Sequence, residues 1–205
     1  MNRFYRITKK LFGGLFKLLY RIKVVNPENE VLDRPYIVCS NHTSLMDVVA
    51  IVIAFKGQVR FMAKKEVFKI PILSWFVKSM GAFPVDRKGG DVAAIKKTIE
   101  MLKDGERIGI FPQGTRCPYV DPRDTEIKDG VGMIASRAEV GFLPIFVKTK
   151  KGKLRMFRKT RVIIGEYISP EEYASSLTGR EKYKAISHYV FDKVCELNER
   201  TEVKW

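Results

Sequence analysis

Apolar residues at Phe4, Ile7, Leu11, Leu15, Leu18 and Ile22 recur at the spacing of one helical face, with Lys and Arg set between them. Gly13 and Gly14 fall in the middle of this segment, where they predict a weak point or a bend into two pieces. Downstream the pattern changes. Short apolar runs read as strands at Pro35 to Ser40, Val59 to Ala63, Gly81 to Val85, Arg107 to Phe111, Phe142 to Thr149 and Arg161 to Ile164. Helical stretches fall between them at Ser44 to Phe55, 66–79, Asp91 to Lys103, Gly130 to Glu139 and Arg180 to Asn198. Pro71 marks a turn or break in the second of these. The third puts Val92, Ile95, Ile99 and Leu102 on one face and stops at Gly105. The last turns Tyr183, Ile186, Val190, Val194 and Leu197 inward. Strands alternating with helices predict an α/β fold, a single domain with a mixed, largely parallel central sheet flanked by helices. An amphipathic N-terminal helical segment, 1–25, precedes the domain proper, 26–205.

Composition adds the partners. The chain has 205 residues, 45 % of them hydrophobic, enough to bury one sizeable core. No run approaches the roughly 18 to 20 uncharged apolar residues that a spanning helix needs. Lys and Arg outnumber Asp and Glu by 38 to 23, so the net charge is +15. Such an excess attracts nucleic acid, an anionic bilayer or an acidic carrier protein. Its distribution favours the bilayer: residues 1–25 hold seven cations and no acid among large apolar side chains, the composition of a helix lying in a membrane interface. A surface helix packed on the core is the plainer alternative. Lys17 breaks the apolar run and no clear cleavage site follows, which argues against a signal peptide. Residues 148–161 hold eight further cations and no acid. They could extend the membrane surface or meet an acidic carrier protein. Three cysteines, Cys39, Cys117 and Cys195, with no C-x-x-C, predict neither a disulfide framework nor a zinc site, and point to a reducing compartment.

The candidate chemistry begins at the two histidines. His188 lies opposite the apolar stripe of the last helix and reads as solvated. His42 stands at a strand end just before a helix, where loops are exposed yet held by a rigid scaffold. Asp47 follows in the first helical turn, with Ser44 as N-cap and Asp47 at N3, so its carboxylate can reach back to the imidazole. A carboxylate on one ring nitrogen fixes the tautomer and leaves the other to take a proton. Taken alone, the spacing fits a capping Asp and an incidental surface His at least as well. Two further strand ends deliver guanidinium groups, Arg87 after Gly81 to Val85 and Arg116 after Arg107 to Phe111. Paired, they suit a phosphate, because each offers a planar fork of donors.

These segments, taken in order, resemble the glycerolipid acyltransferase family that includes the lysophosphatidic acid acyltransferases, over about Tyr36 to Gly165. Asn41 to Asp47 matches its N-H-x-x-x-x-D block, Phe61 to Glu66 its A-K-x-E segment, and Phe111 to Arg116 its F-P-E-G-T-R block. Gly81 to Arg87 and Leu143-Pro144-Ile145 resemble two more blocks, and Lys128 with Gly130 a K-x-G element. The resemblance implies His42 as general base and Asp47 as its partner. It implies Arg87, Arg116 and Lys64 at a substrate phosphate, with Gly114 and Thr115 beside them. Gln113 departs from the family's usual Glu, which puts an acid–base role there in doubt and leaves a hydrogen-bonding role.

The implied reaction moves an acyl group from a thioester, acyl-CoA or acyl-acyl carrier protein, to the free hydroxyl of 1-acyl-glycerol 3-phosphate. The product is phosphatidic acid. No metal and no organic cofactor are implied, and Cys39 reads as core rather than nucleophile. The expected place of work is the cytoplasmic face of the cell membrane, as a peripheral or monotopic protein. A different acceptor, glycerol 3-phosphate or an amino-acid-based lysolipid, is the nearest alternative. A basic nucleic-acid-binding module is remote, since no nucleic-acid motif is present.

Overall fold

The structure, a computed structural model, describes residues 3–79, 81–85, 92–174 and 176–202. Seven strands form one sheet in the order β1-β7-β6-β2-β5-β3-β4. They are β1 (Ile22–Val25), β2 (Tyr36–Ser40), β3 (Arg60–Lys64), β4 (Phe83–Val85), β5 (Ile108–Ile110), β6 (Gly141–Thr149) and β7 (Thr160–Ile164). Strands β2 to β6 run parallel to one another, while β7 is antiparallel to β6 and carries β1 parallel to itself. The sheet is therefore mixed and largely parallel, as the alternation of elements predicts.

Helices cover both faces. One face packs on α4 (Val92–Lys103), α5 (Gly130–Ala138) and α6 (Gly179–Arg200), burying Leu102, Ile134, Val190 and Val194 against Ile37, Ile108 and Ile163. The other packs on α1 (Arg3–Leu19) and α2 (Met46–Ala54), burying Tyr5, Val49, Ile51 and Val52 against Val38, Leu143 and Ile145. The remaining helix, α3 (Pro71–Ser79), follows a 3-10 turn at Lys65–Lys69, with Pro71 opening it where a missing N–H costs nothing. Every residue of β2 is buried, as a strand covered on both faces must be. Two glycines permit the tightest packing. A Cβ at Gly132 on α5 would lie 2.1 Å from the Tyr183 carbonyl oxygen on α6, and one at Gly109 on β5 would lie 2.1 Å from the Phe61 ring.

Three local expectations are revised. Helix α1 runs unbroken through Gly13 and Gly14, because Gly13 is buried against α2 and the packing holds the backbone. It ends at Leu19, and Ile22, expected to continue the helix, opens the edge strand β1. Val92, expected on the apolar face of α4 with Ile95, Ile99 and Leu102, is exposed, whereas Leu102 is buried as expected, together with Ala94, Thr98 and Met101.

The apolar stripe of α1 faces away from the core. Ile7, Leu11, Leu15 and Leu18 are 51 to 74 % exposed, whereas Tyr5 and Thr8 are buried. Lys9 fastens the inner side, donating to the Phe55 carbonyl at the C-terminus of α2, where a cation also opposes the helix dipole. Burial lowers the Lys9 pKa, with Glu30 acting in the opposite sense. Among the described residues, no helix is long and apolar enough to cross a membrane.

Candidate active site

The parallel strands end on one edge of the sheet, and the candidate residues gather there. His42 lies two residues beyond β2, and Gln113 to Arg116 follow the adjacent β5. Asn41 extends the sheet past the last residue of β2. Its side-chain amide donates to the Val147 carbonyl at 3.2 Å, and its oxygen accepts the Val147 N–H at 2.8 Å, so a side chain completes the ladder to β6. His42 is thus presented from a buried, doubly bonded neighbour.

Asp47 is fully buried. His42 Nδ1 lies 3.1 Å from its Oδ2, which also accepts the backbone N–H of Thr43 at 2.6 Å and of Ser44 at 2.7 Å. Ser44 Oγ in turn accepts the Met46 N–H at 3.3 Å. The regular helix begins at Met46, two residues later than expected, and only half of the expected cap forms: Asp47 reaches back to the Ser44 N–H, while the Asp47 N–H goes to the Ser44 carbonyl at 3.0 Å rather than to its hydroxyl. A carboxylate can only accept, so the imidazole proton sits on Nδ1 and Nε2 keeps a lone pair. Among the described residues, no hydrogen bond engages Nε2. An imidazole so oriented can take a proton from an alcohol, and the carboxylate stabilises the imidazolium that results.

The segment after β5 holds His42 by its backbone and its ring. Gln113 Oε1 accepts the His42 N–H at 2.7 Å, and the His42 carbonyl accepts the Cys117 N–H at 2.8 Å. The ring stacks on Phe111, with centroids 3.9 Å apart and planes 13° from parallel, and Phe61 stacks behind Phe111 at 5.5 Å. The His42 donor fixes the orientation of the Gln113 amide, so Nε2 of Gln113 must face Thr125 Oγ1, to which it donates at 2.9 Å. The Thr125 hydroxyl gives its own proton to the Pro122 carbonyl at 2.6 Å. Gln113 therefore meets an acceptor on one side and a donor on the other, which an amide satisfies and a carboxylate does not.

Gly114 turns the chain here with φ of 67°, and Lys128 closes the segment through its N–H to the Pro112 carbonyl at 2.9 Å. Thr115 and Arg116 are exposed beyond the turn. Lys64 is the last residue of β3, paired with Val85 at the end of β4, so both strands stop on the His42 edge. Arg87 lies outside the described residues. His188 is exposed on α6, as its position opposite the apolar stripe implies. Cys39 is buried in β2, and burial pushes its thiol far above the usual range, which disfavours the thiolate that a nucleophile needs. Among the described residues, no group of three His, Cys, Asp or Glu is placed to hold a metal ion. Sequence reasoning missed Asn41 as a ladder residue, Phe111 as the ring platform and Thr125 as the partner of Gln113. None has a local signature, because each acts on a residue from a different element.

Known proteins resemble this chain in sequence and in fold. A family model described as acyltransferase matches residues 21–148. A 1-acyl-sn-glycerol-3-phosphate acyltransferase of Bacillus subtilis is 30 % identical over 201 residues, covering 97 % of this chain and 98 % of that protein. A lyso-ornithine lipid O-acyltransferase of Brucella abortus is 34 % identical over 116 residues, 56 % of this chain and 40 % of its own length. The crystal structure of the 1-acyl-sn-glycerophosphate acyltransferase PlsC from Thermotoga maritima matches with a TM-score of 0.68 and 27 % identity, covering 99 % of this chain and 86 % of that one. The family model spans more than half of the 205 residues and the Bacillus protein aligns almost end to end, so the chain belongs to the acyltransferase family.

Proposed function

We propose that the protein transfers a fatty acyl group from an acyl thioester to the free hydroxyl of 1-acyl-glycerol 3-phosphate, forming phosphatidic acid. The observation that carries this reading is the buried Asp47 carboxylate 3.1 Å from His42 Nδ1 on the sheet edge where the strands end. His42 acts as general base through Nε2. The acceptor oxygen attacks the thioester carbon, the carbon–sulfur bond breaks, and the proton taken by His42 passes to the leaving sulfur. Direct transfer needs no acyl-enzyme, and no metal or organic cofactor enters it. The amides of Thr43, Ser44, Gly114 and Cys117 are already hydrogen-bonded. Those of Thr115 and Arg116, uncommitted among the described residues, are assigned to the oxyanion.

Arg116 receives the acceptor phosphate, with Arg87 and Lys64 as further cations and Gly114 and Thr115 as the surrounding turn. The ends of β3 and β4 beside β5 support this grouping. The outward stripe Ile7, Leu11, Leu15 and Leu18 on a cationic helix supports a membrane-surface role for 1–25, and we place the enzyme on the cytoplasmic face of the membrane. Acyl-CoA and acyl-acyl carrier protein are both admitted as donor. The Brucella relative supports a second reading, an amino-acid-based lysolipid as acceptor. A panel of 1-acyl-glycerol 3-phosphate, glycerol 3-phosphate and lyso-ornithine lipid, each with both thioesters and with products read by mass, decides between them. Phosphatidic acid is the expected main product. Conversion of lyso-ornithine lipid or glycerol 3-phosphate alone rejects the proposed acceptor.

A further inference from the structure

The loop joining β6 to β7, 150–159, carries six cations, no acid, and an exposed apolar tip of Met156 and Phe157. Strand β6 is parallel to β2 and β7 returns antiparallel, so this loop leaves the sheet on the same edge as His42. It is a built element. Leu154 is 3 % exposed and plugs the loop into the core beside α1 and α2. The Gly152 carbonyl accepts the Tyr119 N–H at 3.1 Å, and a Cβ at Gly152 would lie 3.0 Å from Tyr119 Cα. Tyr119 follows two residues after Cys117, whose N–H reaches the His42 carbonyl, so a short run of backbone links the loop to the candidate active site.

The apolar tip is held outward. Phe157 is 70 % exposed, and its backbone φ of 60° is in the left-handed region that bulky residues rarely occupy. Tyr119, also exposed, has φ of 66°. Such conformations persist only where their surroundings enforce them. Here the Phe157 N–H is bound to the Leu19 carbonyl at the end of α1, one residue past Leu18 of the exposed stripe. The C-terminal end of α1 and the tip of the loop therefore meet.

We propose that the β6–β7 loop is a second membrane contact, with Met156 and Phe157 entering the interface of an anionic leaflet and Lys150, Lys151, Arg158 and Lys159 facing its phosphates. Cations around exposed aromatic and thioether side chains fit a bilayer, which offers both negative charge and apolar depth. An acidic carrier protein would be met by the charge alone and gives no reason to force Phe157 outward. With α1 as the first contact, the loop orients the His42 edge toward the leaflet. The proposal rests on the membrane-surface reading of α1, and its test reads binding rather than turnover, so it stands or falls apart from the acceptor assignment.

The test labels Phe157→Cys, in a Cys117→Ser background, with an environment-sensitive fluorophore. Lys103→Cys, on the exposed end of α4, is the control position. Vesicles of phosphatidylglycerol and phosphatidylcholine should shift the emission at 157 to the blue and make it quenchable by acyl-chain nitroxides, with no change at 103. The unlabelled double variant Met156→Ser, Phe157→Ser should lower vesicle partition by at least about fivefold while α1 is intact. Emission at 157 that ignores vesicles, or that responds to acyl carrier protein instead, overturns the proposal. So does a double variant that partitions as the parent does.

Discussion

At His42 and Gln113 the hydrogen-bond inventory predicts how the residues respond to change. Asp47 Oδ2 takes three donors, from His42, Thr43 and Ser44. In Asp47→Asn the amide oxygen can serve some of them, but its NH2 then meets donors and the imidazolium loses its counter-charge. Acyl transfer should fall by about a thousandfold or more, and the thermal midpoint should drop as well. Equal activity in a pH-matched assay would remove Asp47 from the chemistry. Gln113 serves Thr125 through its Nε2, so Gln113→Glu requires the Thr125 hydroxyl to leave the Pro122 carbonyl and donate to the carboxylate. That rearrangement is local, and the rate should change by no more than about tenfold, equivalent to about 1.4 kcal/mol in the barrier. Gln113→Ala leaves the His42 N–H without its acceptor and should cost more. A parent with no activity, restored by Gln113→Glu, would contradict this account. The sequence made His42 and Asp47 legible because a strand end, a cap and a short spacing are all local. Asn41 with Val147 and Gln113 with Thr125 are not, since their partners lie on other elements and no periodicity announces them.

Among the elements, β5 and α1 link packing to function most directly. In Gly109→Ala the new methyl would occupy the Phe61 ring position, and Phe61 backs Phe111, on which His42 stacks. Overpacking of this kind costs about 1–3 kcal/mol. Tm and kcat/KM should fall together, and a parent-like value of both would show that the ring re-seats freely. For α1 the informative variant spares the inner face. Removing residues 1–25 would strip cover from α2 and delete β1, so Leu11→Gln, Leu15→Gln, Leu18→Gln is the cleaner change. Vesicle partition should drop by at least about tenfold, while activity on a short-chain soluble acceptor stays within about twofold. Unchanged partition would assign the stripe another role. The strands β2 to β7 read as short apolar runs in the sequence. The missed strand β1 is four residues long, carries Lys23 and is only partly buried at the sheet edge, so it shows neither a run nor an alternation. It exists because β7, far along the chain, offers an edge to pair with.

Over the whole molecule, charge and topology point the same way. The net charge of +15 comes partly from two cationic segments without acids, and the end of α1 and the β6–β7 loop both lie on the His42 edge of the sheet. Exposed charge is screened beyond about 10 Å at about 0.1 M salt, so vesicle binding should weaken as salt rises and persist in part through the apolar contacts. Composition revealed the excess of cations, but only the reversal of β7 against β6 shows that the loop shares an edge with the site. The central claim is that His42 is the base of an acyl transfer to 1-acyl-glycerol 3-phosphate. It is tested most directly by phosphatidic acid formation from this acceptor and an acyl thioester, followed by mass, for the parent and for His42→Ala. Product is expected from the parent, with a loss of about a hundredfold to ten-thousandfold in the variant and thermal midpoint and vesicle binding retained. A folded His42→Ala protein that forms phosphatidic acid within tenfold of the parent rate would contradict it.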